Sequence, residues 1–224
     1  MKRFILSALF ILLSGMANAQ TEELNINYEE IKSKIEDSNS ATYYPLLLER
    51  YRNFDPSLTL DEYALLYYGF SFQEEYLKNQ VAEMYLDQLI RAERYEEALS
   101  EGLQLLDKDP VSLKINFNTI YAMDQAGYPE EEYLPYLKRY WMIQKVIAYS
   151  GNGLSAETPF KTIYISDEYN MMYQYFDIET IHSQSLVGLC DYFRIAPSRQ
   201  YRSKHIYFDI SRKLIRQDQL LQRE

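Results

Sequence analysis

The sequence predicts an α+β protein: N-terminal antiparallel helix pairs, tetratricopeptide-like, followed by a small C-terminal antiparallel β-sheet packed on them. Two observations carry this. Between residues 20 and 150 apolar residues recur at helical spacing, with caps and breaks between the runs. After Ser150-Gly151-Asn152-Gly153 the pattern changes to period two. Helices first and strands afterwards is the order of an α+β fold.

The first residues read as an export signal. Lys2 and Arg3 precede the apolar run Phe4 to Leu13, and Ala17-Asn18-Ala19 supplies the small-x-small pattern of a cleavage site. Residues 1–19 are therefore expected to be removed before Gln20, leaving a periplasmic or secreted chain. No later apolar run is long enough to cross a bilayer. Residues 20–150 form the helical region. Residues 151–224 form the sheet region with a basic C-terminal segment, in one cooperative unit with the helices.

The helices are expected in order. Tyr28, Ile31 and Ile35 share one helical face, and Asp37-Ser38-Asn39-Ser40 ends that run. A second helix covers Tyr43 to Tyr51. Asp55-Pro56-Ser57 is a turn. Thr59 with Glu62 three residues on is a capping box, opening a helix that stops near Gly69. Glu75 to Arg91 and Tyr95 to Leu106 form a pair divided by Ala92-Glu93-Arg94. Val111 to Ala126 follows Asp109-Pro110, and Glu130 to Tyr149 carries acids in its first turn and bases later. Tyr95, Ala98 and Pro110 fit the second half of a tetratricopeptide-like repeat; Leu86 and Leu89 depart from its first half.

In the sheet region, Phe160 to Ile165 alternates as a strand, Asp167-Glu168 reads as a tight turn, and Tyr169 to Tyr175 as a second strand. Ser185 to Ile195 is mixed. His205 to Ser211 is the clearest strand, with Ile206, Phe208 and Ile210 on one face. Short connections favour an antiparallel meander.

Four short motifs resemble the domain-of-unknown-function family 4919: Tyr67-Tyr68-Gly69-Phe70, Asp167-Glu168-Tyr169, Gln184-Ser185-Leu186 and Tyr207-Phe208-Asp209-Ile210-Ser211. The resemblance covers roughly residues 40 to 212. It implies an exported protein of a Gram-negative host, since that family is found mainly in Bacteroidetes. It has no assigned activity, so the resemblance transfers no catalytic residue.

Composition excludes several function classes. The 224 residues hold 23 Lys plus Arg against 33 Asp plus Glu, a net charge of −10. Cleavage removes Lys2 and Arg3 and makes it −12. An acidic surface does not release phosphate counterions, so nucleic acid is excluded as a general partner. One Cys and two His leave no metal-ligand set, and no phosphate loop, dinucleotide fingerprint or nucleophile elbow occurs. No cofactor or metal is expected. Cys190 lies in an apolar run and reads as a buried thiol.

Two readings of function stay open. The first is a non-enzymatic binding or interaction protein with an unknown protein or glycan partner. The 23 Tyr suit either a helix–sheet seam or a binding surface. Tyr136, Tyr140 and Trp141, with Tyr173 and Tyr175, are the candidate surface aromatics. Residues 195–224 carry seven bases and three acids, and Arg199, Arg202 and Lys204 are the candidate contacts for an acidic partner or the protein's own acidic helices. Contact with anionic lipid is a minor variant of the same idea. The second reading is a hydrolase of unrecognised class using Asp167 or Glu168 with a His such as His205. Acid–base work needs two titratable groups in a cleft. The competing expectation is a turn Asp beside an exposed Glu.

Overall fold

The computed structural model describes residues 23–221. Among these, seven helices come first: α1 (Tyr28–Glu36), α2 (Tyr44–Arg52), α3 (Leu60–Phe70), α4 (Gln80–Arg91), α5 (Tyr95–Lys108), α6 (Leu113–Gln125) and α7 (Glu130–Ala148). Then follow β1 (Phe160–Lys161), α8 (Ile165–Asn170) with a π-helical turn (Met171–Tyr175), β2 (Ile181–Val187), β3 (Cys190–Ile195), β4 (His205–Asp209) and α9 (Ser211–Leu221).

Local chemistry starts α1, α3, α5 and α7 where expected, whereas α4 starts at Gln80 rather than at Glu75. Asn27 Oδ1 accepts from the amides of Glu29 and Glu30 at 3.1 and 3.2 Å. Both arms of the Thr59–Glu62 capping box form, at 3.2 and 2.8 Å. Ser112 Oγ accepts from the Ile115 amide at 3.3 Å and caps α6. The break between α4 and α5 places Glu93 in the left-handed region at φ 58°. Helix pairs pack closely. A Cβ on Gly102 of α5 would stand 2.3 Å from Thr119 Oγ1 of α6, so only glycine permits that crossing.

α3 is the centre of the helical half. Every residue from Tyr63 to Phe70 is buried, because α1, α2 and α7 surround it. The sheet has order β1-β4-β3-β2. β2–β3 and β3–β4 are antiparallel, whereas β1 pairs parallel with β4. The sheet is therefore mixed at one edge rather than a pure meander. Its inner face carries Phe193, Ile206 and Phe208, all without exposed surface, against the helices. Tyr192, Arg194, His205 and Tyr207 alternate onto the outer face.

Three strand expectations are corrected. The strand at 160 to 165 is two residues long. Residues 165–175 are helical, not a turn and a strand. Their buried positions are 167, 168, 171 and 172, which is helical spacing, but two of the four are acids and so hide the apolar face. Residues 181–195 form a hairpin. Its turn, Gly188-Leu189, has positive φ at Gly188 (62°), the residue a type II′ turn places first. Helix α9 was not anticipated. It docks through Arg212, whose guanidinium lies 4.8 Å from the Tyr28 ring and 4.1 Å from Phe72, with Nε donating to Ser71 Oγ at 3.1 Å.

Candidate functional site

Two places concentrate polar chemistry or unmet surface. They differ in access.

The first is the seam between α3, α6 and α8. Asp167 is fully buried. Tyr67 OH donates to its Oδ2 at 2.6 Å, and the Leu113 amide, at the start of α6, donates to Oδ1 at 3.2 Å. The Tyr67 oxygen also accepts from the Ile163 amide at 3.1 Å. Asp109 is bound in parallel fashion. Tyr164 OH donates to Oδ2 at 2.6 Å and the Ser112 amide to Oδ1 at 3.2 Å. Two carboxyls thus share the N-terminus of one helix, where dipole and free amides favour them. Burial opposes their charge more strongly. It pushes Asp109 up to about 7, against the Tyr164 hydrogen bond that pulls it down, with Glu83 nearby adding to the rise. Asp167 is raised well above the usual carboxylate range, first by burial, and further by the charges of Asp109 and Glu83.

Glu168 faces the sheet instead. Among the described residues, neither of its oxygens finds an N–H or hydroxyl donor. Its neighbour is a second carboxyl, Asp191, and burial followed by that charge pushes Glu168 up to about 10. A protonated Glu168 supplies the donor that two carboxylates together lack. Asp191 is fixed by Gln184 Nε2 at 3.1 Å, and Gln184 Oε1 accepts from Tyr169 OH at 2.7 Å.

Tyrosine hydroxyls hold much of this seam. Tyr68 donates to the Lys161 carbonyl at 3.1 Å, Tyr51 to the Pro110 carbonyl at 3.1 Å and Tyr44 to the Leu66 carbonyl at 3.2 Å. Tyr76 donates to the Ile163 carbonyl. Each ring fills core volume while its hydroxyl satisfies a buried acceptor that would otherwise cost ~1–3 kcal/mol.

The expectation of a turn Asp beside an exposed Glu is therefore overturned: both side chains have 0% exposure. His205 does not meet them. It sits on the outer face of the sheet, with Nε2 3.2 Å from the Leu154 carbonyl oxygen, whereas α8 packs on the inner face through Tyr169 against Phe193. The cavities found among the described residues lie elsewhere. One of about 30 Å³, lined by Phe117, Tyr140, Trp141 and Gln174 among others, is on the scale of one or two water molecules. A shallow cleft of about 270 Å³ lies between residues 24–27, α1 and α3.

The candidate aromatics divide. Tyr140 is buried, not a surface residue, and donates to Asn170 Oδ1 at 2.9 Å. Burial follows from its place on the inner face of α7. Tyr136 packs edge-on against Phe54 at 4.9 Å, and Trp141 is half-buried beside the small cavity. Tyr173 is exposed and lies 6.3 Å from Tyr169; Tyr175 is half-buried. Arg199, Arg202 and Lys204 are exposed on the β3–β4 connection, and none has an ion pair within 4 Å among the described residues.

The second place is the free edge of the sheet. Among the described residues, β2 has β3 on one side and no strand on the other. Six of its seven residues are exposed. Leu186 is 60% exposed and Leu189 56%, with Val187 between them and Ile215 of α9 also exposed. The turn is tied to α9, because the Ile210 amide donates to the Leu189 carbonyl at 3.0 Å. Sequence reasoning did not single out this edge. A signal was present: Thr180 to Cys190 contains no Asp, Glu, Lys or Arg in a chain that is 25% charged. A further exposed apolar stripe, Val81, Met84 and Tyr85, runs along α4.

A family model described as Domain of unknown function (DUF4919) matches residues 29–219. No curated protein and no solved structure matches the chain.

Proposed function

We propose, for a chain that belongs to the DUF4919 family, a non-enzymatic interaction protein that is exported to the periplasm or beyond and binds a partner at the free edge of its sheet. One observation carries the reading. The candidate acids Asp167 and Glu168 are sealed inside the molecule, while outward-facing strand backbone and exposed apolar side chains collect on β2 and its turn. A hydrolase working through Asp167 or Glu168 would need its carboxyl to reach a substrate, and both lack accessible surface. A sheet edge offers main-chain hydrogen bonds for affinity and alternate side chains for specificity. The exposed Arg199, Arg202 and Lys204 lie on the β3–β4 connection, at the Ile181 end of β2 and opposite the Gly188-Leu189 turn, where they add a positive field for an acidic protein or an anionic glycan reaching along the strand.

The test is recovery of a partner from periplasmic extract by the chain from Gln20 onward, in parallel with a Leu186→Lys/Leu189→Lys variant. The reading expects one stoichiometric partner with the unaltered chain and its loss with the variant, both proteins giving the same circular dichroism. Equal recovery by both would remove the edge from the proposal. Release of product from ester, peptide or glycoside substrates, abolished by Asp167→Asn, would reinstate the hydrolase.

A further inference from the structure

The edge has a property that points to one occupant. In a two-residue hairpin the closing pair, Val187 and Cys190, exchanges both backbone bonds, and so do Ser185–Tyr192 and Ser183–Arg194. Gln184 and Leu186 therefore aim their N–H and C=O groups away from β3. Among the described residues no other backbone segment meets them. Sheet edges are ordinarily blunted by charge, Pro or cover. From Thr180 to Val187 there is neither charge nor Pro, and six of the seven residues of β2 are exposed.

The order of residues is also self-complementary. About Gln184, Ser183 matches Ser185, and the register shift between Ile181 and Ser183 limits the regular symmetric segment to Ser183–Ser185. We infer that β2 pairs antiparallel with β2 of a second copy about a two-fold axis at Gln184, joining two four-stranded sheets into one continuous sheet. In this register Gln184 and its copy exchange both backbone bonds, so the pairing consumes the outward groups that the hairpin leaves free. Ser183 stands opposite Ser185 of the second copy. A charged edge would face its own like charge at such an axis; this one carries none. The symmetry is isologous and closes at two copies, because each copy has one such edge. Two seven-residue strands bury less than the ~1,600 Å² of a standard interface, so the dimer is of micromolar class.

The inference rests on the proposed role of the edge, and the experiment separates the two. Sedimentation equilibrium of the chain from Gln20 onward, from low micromolar to several hundred micromolar, is compared for two double variants with the same sites changed. Both sites are exposed on the outer face, and unchanged circular dichroism checks the fold. Ser183→Glu/Ser185→Lys places opposite charges against each other across the axis and is expected to keep or tighten the dimer. Ser183→Glu/Ser185→Glu places like charges there and is expected to weaken it about tenfold, with partial recovery in high salt. A monomer throughout for the unaltered chain overturns the inference, as does a dimer that responds equally to both variants. If the chain is monomeric while Leu186→Lys/Leu189→Lys still loses an extract partner, the edge binds a different protein and only the self-pairing fails. If the charge-dependent dimer forms and no partner is lost, self-pairing stands and the proposed external partner falls.

Discussion

The α3–α6–α8 seam and the β2 edge are opposites in how they treat hydrogen-bonding capacity. At the seam, carboxyls and carbonyls are removed from water and matched one by one with tyrosine hydroxyls and helix-end amides. At the edge, strand backbone and leucine side chains are left facing solvent. A buried polar group without a partner is costly, so the seam tolerates little change. An exposed strand edge costs the monomer little and gains only when another strand arrives. Stability should therefore depend on the first region and association on the second.

The strongest way to break that division is Asp167→Ala. It orphans the Tyr67 hydroxyl and the Leu113 amide together, and urea unfolding should show a loss of about 3 kcal/mol or more. Gly102→Ala comes next. Its methyl would press on Thr119 Oγ1, itself bonded to the Ile115 carbonyl at 2.8 Å, and about 1–3 kcal/mol should be lost in the same measurement.

The pH dependence sharpens the comparison further. Asp109 titrates at about 7 in the fold, against about 3.9 in an unfolded chain. Its folded pKa is raised, so the fold favours the protonated acid. That contribution is fully present below about pH 4 and is lost as pH rises through about 7. Asp167 and Glu168 are raised in the same direction. Asp109→Asn should therefore flatten the fall in stability between about pH 4 and about pH 7, measured as unfolding midpoints across that range. A fall left unchanged in the variant would mean that Asp109 is charged in the fold across that range.

The smallest expected effect on stability is at the edge. Leu186→Ser should change the unfolding free energy by no more than about 0.5 kcal/mol, since the side chain is mostly in water. The same variant should weaken any association of the chain. A large loss of stability without a change in association would reverse the roles assigned to the two regions.

The helical half was legible because its signals are local. The Thr59–Glu62 box and the Glu93 break depend on neighbours within four residues. The seam was half legible. Asp167-Glu168-Tyr169 stood out as a motif, but its period was read as a turn because two of the residues that α8 buries are acids. The partners of Asp167, Tyr67 and Leu113, lie 100 and 54 residues away in the chain. Tyr140 was misplaced on the surface for a related reason: its hydroxyl invites an outward reading until Asn170 is seen to receive it. The edge was not legible as an edge, because strand order decides which strand has one neighbour.

By itself, the sequence determined the α+β order, the positions of most helices, the final strand and the family, since caps, periodicity and short motifs act over a few residues. Only the tertiary structure decided that tyrosines such as Tyr67, Tyr68 and Tyr164 serve as donors to buried acceptors, that the two candidate acids are out of reach of solvent, and that β2 is an edge strand. Those three outcomes depend on contacts between segments far apart in the chain. Local pattern carries no record of which acid a hydroxyl will meet or which side of a strand will stay empty.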